Sequence, residues 1–411
     1  MAAYDLSELY TKYEGFYFPI ARVYIGDKDP EADKKINLRV TDFNVEITSE
    51  FKAGIASFSI KGGFSEGAGS YDMDKLKKYA MLGQSVRIYM GHASSMTEVF
   101  RGYVAMVNFQ YLPDTDIDTS AFIRITAMDV KGIMMANNSS KRLKANYYSD
   151  AVKEILEQKP YQDLQNREII TDLAISDTPD KPGGDGPAGA IPGGGLPGGG
   201  LSGGAGGEGP DNRIEMVAES DYEFVVKVAK KFNFEFFTIG GNVAFRPAKS
   251  NTQELIEIIP SIVIKSFDVG YDITGVVGQV KVRSIDIGKG NKVEVTQKNN
   301  ATFSLGNKAK PLISNQAYVY TDSSVESQDD ATRRASYIME DMSYRFGTIN
   351  MTLSGMPELV PGRFIKLKDF GSGISNKFYL TDVIHEYNEL TGYTTTIIGR
   401  AATLEDSNGL L

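Results

Sequence analysis

The chain has 411 residues, of which 41% are apolar and 24% charged, with no Cys, two His and a formal net charge of −9. At about 100–200 residues per domain, this length predicts two or three domains with ordinary packed cores. The missing thiols exclude disulfides, thiolate zinc sites, iron–sulfur clusters and a cysteine nucleophile; two imidazoles are too few for a multi-histidine metal site, and the acidic balance disfavours tight nucleic-acid binding.

At the start, Asp5, Glu8 and Glu14 interrupt the basic, then apolar, run that a signal peptide needs. No export signal is expected, and the chain is expected to be made in the cytoplasm. No window approaches the run of about 18 uncharged apolar residues that would suggest a membrane-spanning helix. Period-two alternation predicts strands over 16–24, 38–47, 56–60, 86–90, 99–111 and 122–127. A minor helix is predicted from Asp74 to Met81, before Gly83, and another from Ser149 through Val152, Ile155 and Leu156 until Pro160.

Residues 183–209 hold 15 of the 42 Gly and not one aromatic residue, so this stretch has no core to bury. Its local period is five, through Ile191, Leu196 and Leu201, whereas collagen needs Gly at every third place. It reads as a surface insertion spanning roughly 25–30 Å as a coil. Ile191, Leu196 and Leu201 are its only regular anchors and the candidate contacts to a partner.

Beyond the insertion, Ser220 and Glu223 form a capping box ahead of Phe224, Val225, Val228, Ala229 and Phe232 on one helical face. Strands follow over 243–246, 262–269, 276–282, 350–353, 364–367, 378–387 and 393–398. Between them, Ser327 opens a helix whose Ala331, Ala335, Ile338, Met339, Met342 and Phe346 must lie against a sheet before Gly347 stops it. The expected fold class is mainly β with a small α+β part. Two similar antiparallel β-barrels, at 1–140 and 251–411, flank a middle α/β region at 141–250.

Two segments of the chain carry the same series of elements. Gly83 to Gly91 and Gly362 to Gly371 are both Gly-led strands alternating basic and apolar residues. Tyr103, Val104, Val107 and Tyr111 then stand at the spacing of Tyr379, Leu380, Val383 and Tyr387, each set followed by a polar hairpin and a return strand. One chain is therefore expected to carry two similar β units.

The run Glu219-Ser-Asp-Tyr-Glu-Phe-Val-Val-Lys-Val-Ala, closing at Val243 to Pro247, resembles the helix and strand pair of the phage late control D family. These are hub proteins of contractile tails, and the family includes the front part of the VgrG proteins of type VI secretion. Val360-Pro-Gly-Arg-Phe-Ile-Lys-Leu, Lys377-Phe-Tyr-Leu-Thr-Asp-Val-Ile-His and Gly392-Tyr-Thr-Thr-Thr-Ile are similar to that family's last barrel. The likeness runs from about residue 16 to 402, and its motifs are structural. It implies a homotrimer whose six barrel units adapt a hexameric inner tube to a trimeric spike and leave a central passage. Other baseplate subunits are further implied partners. Because the sequence given ends at Leu411 without a needle, the resemblance also implies a separate spike protein.

Chemistry is sparse. Asp114, Asp116 and Asp118 begin like a calcium loop, but Thr119 and Ile125 stand where Gly and Glu are needed, so a polar turn is expected. His385 and Glu386, as neighbours on a strand, point to opposite faces, and His385 reads as packed or hydrogen-bonded. His92, beside Gly91, reads as a solvated loop residue. Lys141, Arg142 and Lys144 form a small basic cluster that reads as solvated surface and, less often, as a partner contact. No nucleotide fingerprint occurs, and no cofactor or metal ligand set is expected. The leading expectation is a structural hub of a phage tail or contractile injection particle, not an enzyme. A receptor- or carbohydrate-binding β module is the alternative, against which the absence of Trp argues, and a wall-degrading hydrolase lacks a carboxylate pair.

Overall fold

The structure is a computed structural model that describes residues 2–32, 37–65, 67–111, 121–179, 214–285, 292–299, 309–322, 325 and 327–405. The Gly-rich insertion with Ile191, Leu196 and Leu201, and the turn with Asp114, Asp116 and Asp118, lie outside the described residues.

The first part of the chain runs α1 (Leu6–Lys12), β1 (Pro19–Ile25), β2 (Arg39–Thr48), β3 (Ile55–Lys61), β4 (Phe64–Ser65), β5 (Ser70–Tyr71), α2 (Met73–Leu76), β6 (Ser85–His92), β7 (Ser95–Tyr111) and β8 (Ala121–Met128). Strands β1-β6-β7-β8-β3-β2 pair in that order. Val23, Val45, Phe58, Ile88, Val104 and Ile125, one from each strand, are buried in one cluster, which requires the sheet to curl around its inner face.

The middle part holds α3 (Val130–Ala136), β9 (Asn138–Arg142), α4 (Tyr148–Leu156), α5 (Lys159–Asn166), β10 (Asp172–Ile175), β11 (Glu215–Ser220), α6 (Asp221–Phe232), β12 (Phe234–Ile239) and β13 (Asn242–Pro247). Its own core joins Phe224, Val228 and Phe232 of α6 to Phe236 and Phe245 of the strands behind it. Both halves of the Ser220–Glu223 capping box are made. Ser220→Ala is therefore expected to cost about 1 kcal/mol in a urea unfolding series, with the slope unchanged. Pro160 does not stop a helix, as the sequence suggested. α4 ends at Leu156, and Pro160 lies in the first turn of α5, where its missing N–H would have no intrahelical partner anyway.

The last part runs β14 (Glu254–Ile258), β15 (Ile264–Tyr271), β16 (Gln279–Ile285), β17 (Lys292–Lys298), α7 (Lys310–Ile313), β18 (Ala317–Thr321), α8 (Gln328–Ser343), β19 (Gly347–Ser354), β20 (Phe364–Leu367), β21 (Lys377–Asn388) and β22 (Gly392–Ala401). Between β15 and β19, helix α8 lays Ala331, Ala335, Met339 and Met342 on Val280, Val282 and Val293 of a separate sheet, β17-β16-β18. The remaining six strands pair as β14-β20-β21-β22-β19-β15. Taken in chain order, both six-strand sets follow one scheme: first to fourth, fourth to fifth, fifth to sixth, sixth to third, third to second. They differ in the first pairing, which is antiparallel for β1–β6 and parallel for β14–β20.

The repeat extends to single hydrogen bonds. Gly83 N donates to Val104 O at 2.8 Å and Val104 N to Gln84 O at 2.8 Å; Gly362 N donates to Leu380 O at 2.9 Å and Leu380 N to Arg363 O at 2.8 Å. Just past these bonds the fifth strand slips by one residue against the sixth in both units, between Val104 and Met106 and between Leu380 and Asp382. Gly83 and Gly362 sit at φ +80° and +75°, a region that L side chains rarely adopt, which explains the glycine leading each of these strands.

Candidate functional site: the junction of the two repeats

The two curled sheets are joined by main chain. β2 pairs antiparallel with β21, from Phe43 opposite Tyr387 to Thr48 opposite Asp382. Period-two alternation made both strands recognisable, but a bulge in β2 between Thr41 and Asn44 sets the final register. Asp42 takes φ +56° there, and Asn388 Nδ2 donates to its Oδ1 at 2.6 Å. The bulge turns Phe43 inward, where Tyr387 meets it edge-on with ring centroids 5.9 Å apart. On the outer face, Asn44 Nδ2 donates to Glu386 Oε1 at 3.1 Å. At the far end Lys52 lies 2.9 Å from Asp382 and 2.6 Å from Glu46. Burial opposes the lysine's charge, yet the two carboxylates outweigh it and hold its pKa above the ordinary value.

Both histidines lie beneath this junction. His92 is not a solvated loop residue: it closes β6, is buried, and its Nε2 donates to the Gly355 carbonyl at 2.8 Å. Its ring stacks on Tyr393 at 5.4 Å and meets Phe16 edge-on at 5.4 Å. A Cβ at Gly355 would stand 2.0 Å from the Tyr393 ring, so glycine is what admits this stack. Tyr393 also lies 2.9 Å from His385 Nδ1 through its hydroxyl. His385 is buried and Glu386 exposed, as alternation along the strand requires. Burial pushes the His385 pKa down to about 3 and lowers that of His92. Both rings are therefore neutral packing groups at pH 7.

Nearby, the Tyr13 hydroxyl donates to Glu358 Oε1 at 2.5 Å, and Lys12 pairs with the same oxygen at 2.6 Å, which moors the N-terminal helix to the second unit. A second clamp ties the middle region to β21. Arg246 Nε donates to Glu235 Oε1 at 2.6 Å and Arg246 NH2 to the Gly362 carbonyl at 2.7 Å, while the Tyr379 hydroxyl donates to the other Glu235 oxygen. Burial raises the Glu235 pKa, which the tyrosine and arginine oppose. A third polar site, Asp129, accepts from Gly54 N and Lys131 N, both at 2.9 Å, and lies 3.7 Å from the buried Lys131 ammonium. Nothing in the local pattern around Met128-Asp129-Val130 distinguished it from a surface cap.

Two side chains of the basic cluster are paired internally, and the exposed Lys144 joins them through its backbone N–H. Lys141 pairs with Asp221 at 3.1 Å, Arg142 with Glu215 at 2.9 Å, and Lys144 N donates to Glu154 at 2.8 Å. Among the described residues no group of three His, Asp or Glu is placed to hold a metal ion. No described helix is long and apolar enough to cross a membrane. What the geometry can do is hold strands together across two units.

No protein-family model matches the sequence, and no curated protein matches it. Solved structures do. The tail protein from Neisseria meningitidis MC58 is similar over 94% of this chain and 97% of its own, at TM-score 0.62 and 12% identity. The 43 kDa tail protein of prophage MuSo2 from Shewanella oneidensis matches over 93% and 98%, also at TM-score 0.62 and 12% identity. An E. coli component of the type VI secretion system, described as structurally similar to bacteriophage T4 tail proteins, matches over 92% and 76%, at TM-score 0.51 and 10% identity. The β-rich, twice-repeated architecture described above is thus a fold found in phage tail proteins and in a type VI secretion component.

Proposed function

We propose that this chain is the structural baseplate hub of a contractile tail-like particle. Three copies form a ring of six curled sheets that adapts a hexameric inner tube to a trimeric spike, with a passage along the axis. The observation that carries this reading is the repeat itself. One chain presents the same six-strand scheme twice, fused edge to edge, so three chains present six similar surfaces to a six-fold tube and three to a spike. The fold shared with tail proteins supports it. The chain works by holding other subunits and carries out no hydrolysis. Both histidines are packing groups, so replacing them tests stability and not catalysis.

A reconstruction of the particle is expected to show three copies at the hub position, each giving two units to a six-part ring. Six copies, or two, would overturn the reading.

A further inference from the structure

The internal junction joins the second strand of one unit, β2, to the fifth strand of the other, β21. The strands in the corresponding places are β15 and β7. Among the described residues, β15 pairs only with β19, and β7 beyond Val104 pairs only with β8. Following the two ladders residue by residue aligns these edges. Tyr111 lies seven residues past Val104, as Tyr387 lies seven past Leu380. Ile55 and Thr348 face Met128 and Arg400, the partners of Tyr103 and Tyr379. Two places on, Ser57 faces Asn44, and Asn350 faces Asp268. Phe267 therefore takes the place of Phe43, and Tyr111 that of Tyr387.

We propose that the outer edge of β15 in one copy of this chain pairs antiparallel with the Met106–Tyr111 stretch of β7 in a second copy, with Phe267 opposite Tyr111. The same aromatic pair then recurs at the same place in the ladder. Exposure supports the vacancy. Phe43 and His385 are 2% and 0% exposed within the internal junction, whereas Phe267 and Phe109, at the equivalent places, are each 44% exposed, and Tyr111 is 51%. Two exposed aromatic strand edges of this kind are a liability that a folded protein normally covers. The occupant is a second copy because each chain carries one edge of each kind, and the internal junction shows that these two kinds fit. The contact is head-to-tail, so it propagates into a ring or a filament. The inference deepens the ring reading above and rests on it for the number of copies, not for the contact itself.

Cross-linking tests it cleanly, since the chain has no Cys of its own. Cα atoms opposite one another in an antiparallel ladder lie about 4.5–5.5 Å apart, within the reach of a disulfide. Full-length Asp268→Cys mixed with full-length Gln110→Cys under mild oxidation is expected to give a covalent dimer that neither variant gives alone. Both positions are exposed, so folding is preserved. The Asn44→Cys/Glu386→Cys chain is the control and is expected to close within one molecule. A control that closes while the mixture stays monomeric overturns the proposal, as does a dimer from either variant alone. The hub reading fails separately: the cross-link forms, but the Asp268→Cys/Gln110→Cys chain closes into covalent rings of some number other than three.

Discussion

Asp129→Ala is expected to lower unfolding stability by about 3–5 kcal/mol, the range for breaking a buried ion pair from one side. The buried Lys131 ammonium would lose its partner, and the N–H groups of Gly54 and Lys131 would lose their acceptor. Burial raises the Asp129 pKa and lowers that of Lys131; against it the Lys131 ammonium and the N–H groups of Gly54 and Lys131 favour the carboxylate, and Asp129 favours the ammonium. Asp129→Asn retains an acceptor for the two amides and is expected to cost less than Ala. Replacing both members, Asp129→Asn with Lys131→Met, removes both charges and is expected to recover part of the loss. Chemical unfolding of the four proteins at pH 7 measures this directly. An Asp129→Ala chain as stable as its parent would show that the pair contributes nothing.

Acidification is expected to destabilise the chain through His385. Its pKa is about 3 in the fold against an ordinary value of 6.5, because burial disfavours the charged ring. Between those values the unfolded chain binds a proton that the folded chain does not, so stability rises with pH across the window and falls as pH drops through it. At 1.36 kcal/mol per pKa unit, the full loss is on the order of 5 kcal/mol. His92, also lowered by burial, acts in the same direction. Asp129 and Glu235, whose pKa values are raised by burial, act in the opposite one. The groups facing His385 at its Nδ1, the hydroxyls of Tyr393 and Thr395, stay neutral throughout. His385→Gln is expected to be less stable at pH 7 but to show a shallower loss from pH 6.5 to pH 4. Parallel slopes for the two proteins in urea melts would rule out His385 as the source.

Local pattern carried the repeat because its markers are local. Gly83 and Gly362 hold a left-handed backbone, and each leads into a strand followed by a long tyrosine-bearing one, all visible within about thirty residues. The capping box at Ser220 was legible for the same reason. The junction was not. Alternation states which residues of β2 and β21 share a face, but not which edge each strand will meet, because every alternating strand offers the same backbone groups. His92 was misread because its neighbours Gly355 and Tyr393 arrive from the other unit, and Gly91 beside it suggested a turn. The α8 layer was half legible: its apolar face announced a sheet, but the strand over 276–282 read as part of the second barrel, whereas the paired strands β16 and β17 serve the helix. Asp129 showed nothing beyond a polar residue before a helix, since its burial depends on Gly54 and on the packing around Lys131.

The pairing of β2 with β21 also has a consequence for synthesis. Its partners lie as much as 344 residues apart, as Phe43 and Tyr387 do, so the first sheet leaves the ribosome long before the strand that covers its edge. At about 5–20 residues per second, that edge stands open for roughly 20–70 s on every nascent chain. On a polysome, neighbouring nascent chains display the same unpaired β2, and any chain that has finished can offer its β21 to the wrong one. Crowded translation thus favours swapped pairs of chains, and slow, dilute expression favours the correctly closed subunit.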